Sequence, residues 1–315
     1  FWHGVNQNFG GVVLIRESHD LPGSQPVYWR ETLRKALGKL NYLFRILVAI
    51  EGPVVLIGLF MAFTRMGYHS EAEGLSIMMA VLWTLTAFAV IVRGADLIVA
   101  ERSSQTLETL LTTPMPGVDI LREKMLSIYR LILVLSIPIL TTALIEAQIE
   151  SDLRGHDVAD YLLYLLFTIL FVLIYLPLLA WVALWAGIEF RSRIRAIVGA
   201  LIIIVTWCAA PLLVGVVTSF LFGVRGDSIL TSTVACLSPV TVIAITESPG
   251  VAGKWQFASI PLIVAVNLGI HAAILLGIRW WCLRRADVWL GRLKVTGRPR
   301  RGETAPVADD SVAIS

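Results

Sequence analysis

The chain has 315 residues, of which 57% are hydrophobic and only 16% charged, with a mean hydropathy of +0.76. Soluble domains run nearer about 45–50% apolar and about 25% charged, so a water-soluble globular domain, a disordered chain and a collagen-like chain are all excluded. In so apolar a chain the net charge of +3 bears on membrane topology before it bears on nucleic acid.

The chain opens on Phe1 without a signal-peptide pattern, and the apolar run Val12–Ile15 is too short to span a bilayer. Residues 1–27 therefore read as an N-terminal cytoplasmic segment cropped from something longer. From Tyr28 to Leu43 the apolar residues Trp29, Leu33, Leu37, Leu40 and Phe44 recur at helical spacing. Arg30, Glu31, Arg34, Lys35 and Lys39 occupy the other face. This predicts an amphipathic entry helix on the cytoplasmic membrane surface, or one packed on a further soluble domain.

A spanning helix needs about 20 apolar residues, and six stretches qualify: Phe44–Phe63, Leu75–Val99, Leu126–Ile145, Tyr161–Ile188, Ala196–Val224 and Trp255–Ile278. Pro53, Pro138, Pro177 and Pro211 fall inside four of them, where kinks are expected. A seventh stretch, Ser228–Thr246, is diluted by Ser and Thr and broken by Pro239. Charge decides its fate. With six spans and the amino terminus inside, 20 of the 26 basic residues lie in cytoplasmic segments, four lie outside, and Arg93 and Arg130 lie within spans. A seventh crossing would place the eight basic residues of the tail outside, against the positive-inside rule. Ser228–Thr246 is therefore expected to dip in and return as a re-entrant hairpin before the last span. From Pro299 the chain is small and polar, so residues 286–315 read as a basic and then disordered tail.

The three cysteines, Cys208, Cys236 and Cys282, are widely spaced and suggest neither a disulfide framework nor a metal site. Enzyme motifs are missing as well. Gly253-Lys254 has Ser248 where a P-loop requires its first Gly, and neither H-E-x-x-H nor G-x-S-x-G occurs.

Polar groups inside spans are costly and often functional. Asn267 and His271 are four apart and share a helix face. Ala265, Gly269, Ala273 and Gly277 form a small-residue stripe on roughly the opposite face, expected to pack tightly on another helix. The polar pair lines a transport path or makes an interhelical hydrogen bond. Glu51 in the first span is a path or ion-pair residue, or a snorkelling one. Arg93 and Asp96, three apart, are expected to pair with each other or to reach the interface.

The loop after the second span carries the most information. Between Ala100 and Pro116, Ser103 or Ser104 can cap a helix. Leu107, Leu110 and Leu111 form its apolar face, Glu108 and Thr109 lie opposite, and Pro114 and Pro116 stop it. A short amphipathic helix held between two spans can plug into a cytoplasmic groove or rest on the bilayer. Glu101–Pro116 resembles the E-R-E-x-G-T-L-E-x-L-L-x-T-P segment of ABC-2 type transport permeases. Gln105 stands at the family's Gly, and Glu123-Lys124 at its Gly-Lys. Leu237-Ser238-Pro239 resembles the family's L-x-P ahead of the last span, and Pro26-Val27-Tyr28-Trp29-Arg30-Glu31 an N-P-x-x-W-R-E entry.

The resemblance implies an all-α polytopic membrane protein. It has six transmembrane helices, an amphipathic entry helix, a cytoplasmic coupling helix and a re-entrant hairpin, with residues 28–285 as the permease domain. It further implies a permease of an ATP-driven exporter in a bacterial cytoplasmic membrane, with both termini cytoplasmic and no catalytic residues. Its partners would be a separate ABC ATPase carrying ATP and Mg, a second permease copy or homologous half, and membrane lipids, but no nucleic acid. Glu101, Thr106, Leu107, Glu108, Leu110, Leu111, Thr113 and Pro114 would couple to the ATPase. Glu51, Asn267 and His271 would be the transport-path residues. An intramembrane protease or acyltransferase using His271, and a non-transporting anchor that recruits an ATPase, are the alternatives.

Overall fold

A chain in hydrocarbon must satisfy every backbone N–H and C=O within itself, which leaves the helix as the local solution for each apolar run. The computed structural model describes residues 27–28, 40–64, 68–103, 115–154, 158–190, 192–222, 237–247 and 260–289. The described residues are helical almost throughout. The helices are α1 (Leu40–Thr64), α2 (Tyr68–Ser103), α3 (Gly117–Arg154), α4 (Val158–Glu189), α5 (Arg193–Phe222), α6 (Pro239–Glu247), α7 (Ile260–Arg284) and α8 (Ala286–Trp289). Six of them, α1 to α5 and α7, are long and apolar enough to cross a membrane, and the protein is a multi-pass membrane protein.

Pro53, Pro138, Pro177 and Pro211 lie inside α1, α3, α4 and α5. Hydroxyls in the spans donate to carbonyls of their own helix, as Thr84 does to Ala80, Ser127 to Lys124 and Thr142 to Pro138, at 2.7–2.8 Å. Such bonds satisfy a polar side chain without a second helix.

Helix α4 is central and packs against α2, α3, α5 and α7, while α1 lies on α3. The core runs along α4 through Phe171, Tyr175, Leu176, Ala180, Trp181 and Leu184. Spans α2 and α4 meet through small residues. A Cβ on Gly94 would stand 2.9 Å from the Ala183 Cβ, and one on Gly187 would meet the Ala95 carbonyl. Among the described residues the expected small-residue contact of the last span is not made. Ala265, Gly269, Ala273 and Gly277 face outward, and among the described residues nothing stands within 4 Å of a Cβ position on Gly269 or Gly277. Helix α5 is likewise outward-facing along most of its length, with Val205, Leu213, Val216 and Phe220 exposed. Hydrocarbon is as apolar as these side chains, so exposure there carries no water penalty.

Helix α6 begins at Pro239, the helix position at which a missing N–H costs least. Its nine residues are too short to cross a bilayer. Val242, Ile245 and Glu247 face inward, and α6 packs on α7. The remainder of the expected hairpin and residues 29–39 of the entry helix lie outside the described residues.

Candidate functional site

Two groups of polar residues stand out, one at the end of the spans that carries the 104–114 loop and one in the middle of the helix bundle. Thr106, Leu107, Glu108, Leu110, Leu111, Thr113 and Pro114 lie outside the described residues. The anchors on both sides of them are described. Ahead of the loop, near the end of α2, Glu101 is buried and its Oε1 is 2.7 Å from Nζ of Lys124 near the start of α3, which is also buried. At the loop's far end, the backbone N–H of Gly117 donates to Oδ1 of Asp287 on α8 at 2.8 Å. Neighbouring Glu123 turns a carboxylate oxygen to the entry segment, accepting from the N–H groups of Val27 and Tyr28 at 2.9 and 3.0 Å. Val27, Ile120 and Met115 close a small apolar cluster beside it. A carboxylate at the first amides of a helical segment satisfies donors that have no intrahelical partner.

Asp96 pairs across helices. Nε of Arg193, at the start of α5, is 2.7 Å from Oδ1, and a second nitrogen donates to Oδ2 at 2.9 Å. Their spacing predicts that Asp96 pairs with Arg93 or reaches the interface; among the described residues it is instead held by a guanidinium from another helix, through one hydrogen bond at Oδ2 and a close charge contact at Oδ1. A partner 97 positions away leaves no trace in local spacing.

In the bundle, Asn267 and His271 are both buried and share one face of α7. The Tyr175 hydroxyl on α4 donates to Oδ1 of Asn267 at 2.6 Å. Nδ1 of His271 lies 2.8 Å from the Asn267 carbonyl, and Trp207 Nε1 on α5 is 3.4 Å from Nε2 of His271. The carbonyl can only accept and the indole can only donate, so the geometry fits the neutral tautomer with its proton on Nδ1. The Tyr175 ring meets the imidazole edge-on, with centroids 5.3 Å apart, and stacks on Phe171. Both nitrogens of His271 are thus engaged, and among the described residues neither meets a hydroxyl, thiol or carboxylate. The arrangement ties α4, α5 and α7 together and offers no nucleophile–base pair.

Glu51 stands apart on α1, and its Oε2 is buried with no hydrogen-bond partner among the described residues. Among those residues no group of three or more His, Cys, Asp or Glu could hold a metal ion. Sequence reading missed a third polar contact. The Tyr164 hydroxyl on α4 is 3.0 Å from Glu146 Oε2 on α3 and 3.1 Å from Glu247 Oε2 on α6. Its only signal was two acids at the ends of apolar runs.

A family model described as ABC-2 family transporter protein matches residues 28–285. A search of curated proteins gives no match.

Proposed function

The chain belongs to the ABC-2 family of transporter proteins, and from that premise we propose that it is the permease of an ATP-driven exporter, worked by a separate ATPase subunit. Residues 28–285 form the permease and residues 286–315 a cytoplasmic tail. The chain pairs with a second permease copy or a homologous half in a bacterial cytoplasmic membrane. ATP and Mg reside on the ATPase. The permease has two arrangements, and the ATP-bound partner must bind one of them more tightly to drive the change.

One observation supports this most: the 104–114 loop is anchored on both sides by buried or interhelical polar contacts, Glu101 to Lys124 and Gly117 to Asp287. A push on residues 104–114 would, in this reading, reach α2, α3 and α8 through these flanking contacts. In this reading Leu107, Leu110 and Leu111 dock in an ATPase groove, with Glu108 at its edge and Thr106, Thr113 and Pro114 setting the helix limits. Glu101 serves as the brace behind them.

Leu110→Asp tests the reading. Losing a buried Leu and placing a charge in the groove costs at least ~3 kcal/mol, or more than about a hundredfold in docking. The expected result is normal membrane abundance with loss of the co-purifying ATPase. Unchanged co-purification and unchanged ATP-dependent transport would leave the loop helix resting on the bilayer. Loss of transport with ATPase stimulation retained would favour the anchor.

The excess of basic residues supports a cytoplasmic position for both termini. A cysteine introduced after Arg285 should resist an impermeant maleimide in intact cells and react once the cells are broken. Labelling in intact cells would reverse the orientation.

A further inference from the structure

A cavity of about 360 Å³ lies between α2, α4, α5 and α6. Its walls are almost entirely apolar, and three large rings, Trp83, Tyr175 and Trp207, stand among them. Two of those rings are held from behind by α7: the Tyr175 hydroxyl donates to Asn267, and the Trp207 indole nitrogen is 3.4 Å from His271. Helix α6 is strapped across the cavity at both ends. Ser238, just ahead of it, donates to the Cys208 carbonyl on α5, and the carbonyl of its last residue, Glu247, accepts from Ser76 on α2, both at 2.8 Å. The walls are therefore tied together before any ligand arrives.

Along α2 the lining runs from Ser76 to Ala87, about 16 Å at roughly 1.5 Å per residue. The span of α2 covers Gly74–Glu101, so Ser76 stands at one membrane surface and Ala87 near the middle of the bilayer. The cavity thus has the depth of one leaflet, half of a hydrocarbon core about 30 Å thick. Its polarity follows the same axis. Ser76 and Glu247 lie at the surface end, while Ala87, Val182 and Ile203 make the deep end wholly aliphatic. Among the described residues its side is open: Ala80, Thr84, Trp207, Val240 and Ala244 line the space and are exposed. Thr84 donates its hydroxyl to the Ala80 carbonyl, so this rim meets hydrocarbon without an unsatisfied donor.

We propose that this cavity seats one acyl chain of a membrane lipid, which enters sideways and keeps its headgroup at the Ser76 end. The volume suits a single chain. An engineered apolar cavity of about 150 Å³ stays dry and takes up benzene, so about 360 Å³ holds roughly fourteen carbons at the same packing. The second chain of a diacyl lipid stays in the bilayer, beyond the open side. A helix of a second copy, about 10–12 Å across, is too thick for this space, and a polar solute finds few groups along the wall to replace its water. The chain leaves hydrocarbon for hydrocarbon, so affinity comes from contact with fixed walls rather than from release of water. With both termini cytoplasmic, the seat lies in the outer half of the bilayer. As the exporter's substrate site this rests on the permease reading; as a binding site it does not.

The test uses the full chain in glyco-diosgenin, a detergent without an alkyl chain, with neither nucleotide nor ATPase. The probe is a phosphatidylcholine whose chain of about fourteen carbons carries a diazirine at its methyl end. Light should attach it saturably to the peptides that hold Ala87, Val182 and Ile203, in competition with the unmodified lipid. A diazirine next to the ester should move the label to the Ser76 and Glu247 end. The outward face of α5 around Phe220 should label without saturation, as plain solvation by lipid does. Ala87→Phe, which shortens the deep end, should cut the saturable labelling there at least about tenfold, or about 1.4 kcal/mol. Should Ala87→Phe fail to fold, Ala244→Trp, on the exposed rim of α6, should do the same from the mouth with the thermal midpoint unchanged. Labelling that does not saturate, that ignores the position of the diazirine, or that is indifferent to both variants would overturn the proposal. So would a free fatty acid that displaces the probe where the diacyl lipid does not. Saturable labelling in a chain whose Leu110→Asp variant keeps its ATPase would sink the coupling reading and leave the seat standing.

Discussion

Lys124→Met should destabilise the loop end of the bundle by about 3–5 kcal/mol, and the double change Glu101→Gln with Lys124→Met should recover most of that loss. The asymmetry comes from desolvation. The Lys124 ammonium and the Glu101 carboxylate are both buried and 2.7 Å apart. Removing the ammonium leaves the carboxylate inside with its main counter-charge gone, whereas removing both charges leaves a neutral amide and an apolar chain, which cost far less to keep buried than an ion. Thermal unfolding in detergent reads the difference, and limited proteolysis in the 104–114 loop should quicken in the single variant alone. If the single and double variants unfold together, the pair contributes no net brace and the loop's anchor lies at Gly117.

Gly187→Val should lower the yield of folded protein sharply, at a cost of about 1–3 kcal/mol or more. The obstacle is main chain. A Cβ on Gly187 would meet the carbonyl of Ala95, with the carbonyl carbon at 3.1 Å, and backbone cannot turn aside as a side chain can. Spans α2 and α4 would have to part, opening the contact that Gly94 makes with Ala183 on the same seam. Gly52→Ala is the control. Among the described residues nothing lies within 4 Å of its Cβ position, and an alanine in a helix interior is worth about 0.5–1 kcal/mol over glycine. Fluorescence size-exclusion of detergent extracts compares the two, and equal monodisperse yields would mean that α2 and α4 do not need this close approach.

The spans were legible because hydrocarbon demands long apolar runs, and nothing else in the chain supplies them. Their ends were less so, because counting apolar residues stops where charges cluster, while the fold continues through charges it can satisfy. The third stretch reads from Leu126, yet α3 begins at Gly117: Glu123 and Lys124 are partnered inside the protein. The last stretch reads to Ile278, yet α7 runs to Arg284, where guanidinium groups lie over rings, Arg284 at 5.0 Å from Trp280 and Arg285 at 3.9 Å from Trp281. The shared face of Asn267 and His271 followed from helical spacing. Tyr175 and Trp207, which meet that face, come from spans 92 and 64 positions away, a distance no local pattern carries. Glu101 read with the ATPase-coupling residues; its contact with Lys124 comes from the packing of α2 on α3 and leaves no local pattern.

Adjacent residues on a helix point about 100° apart, and on α3 two such neighbours grip different objects. Glu123 holds the amides of the entry segment, and Lys124 holds the end of α2. Spinning α3 about its own axis would break both grips at once, while sliding or tilting it together with α2 and the entry segment breaks neither. The third span is therefore keyed like a shaft in a slot: displacement travels along it, and torque does not.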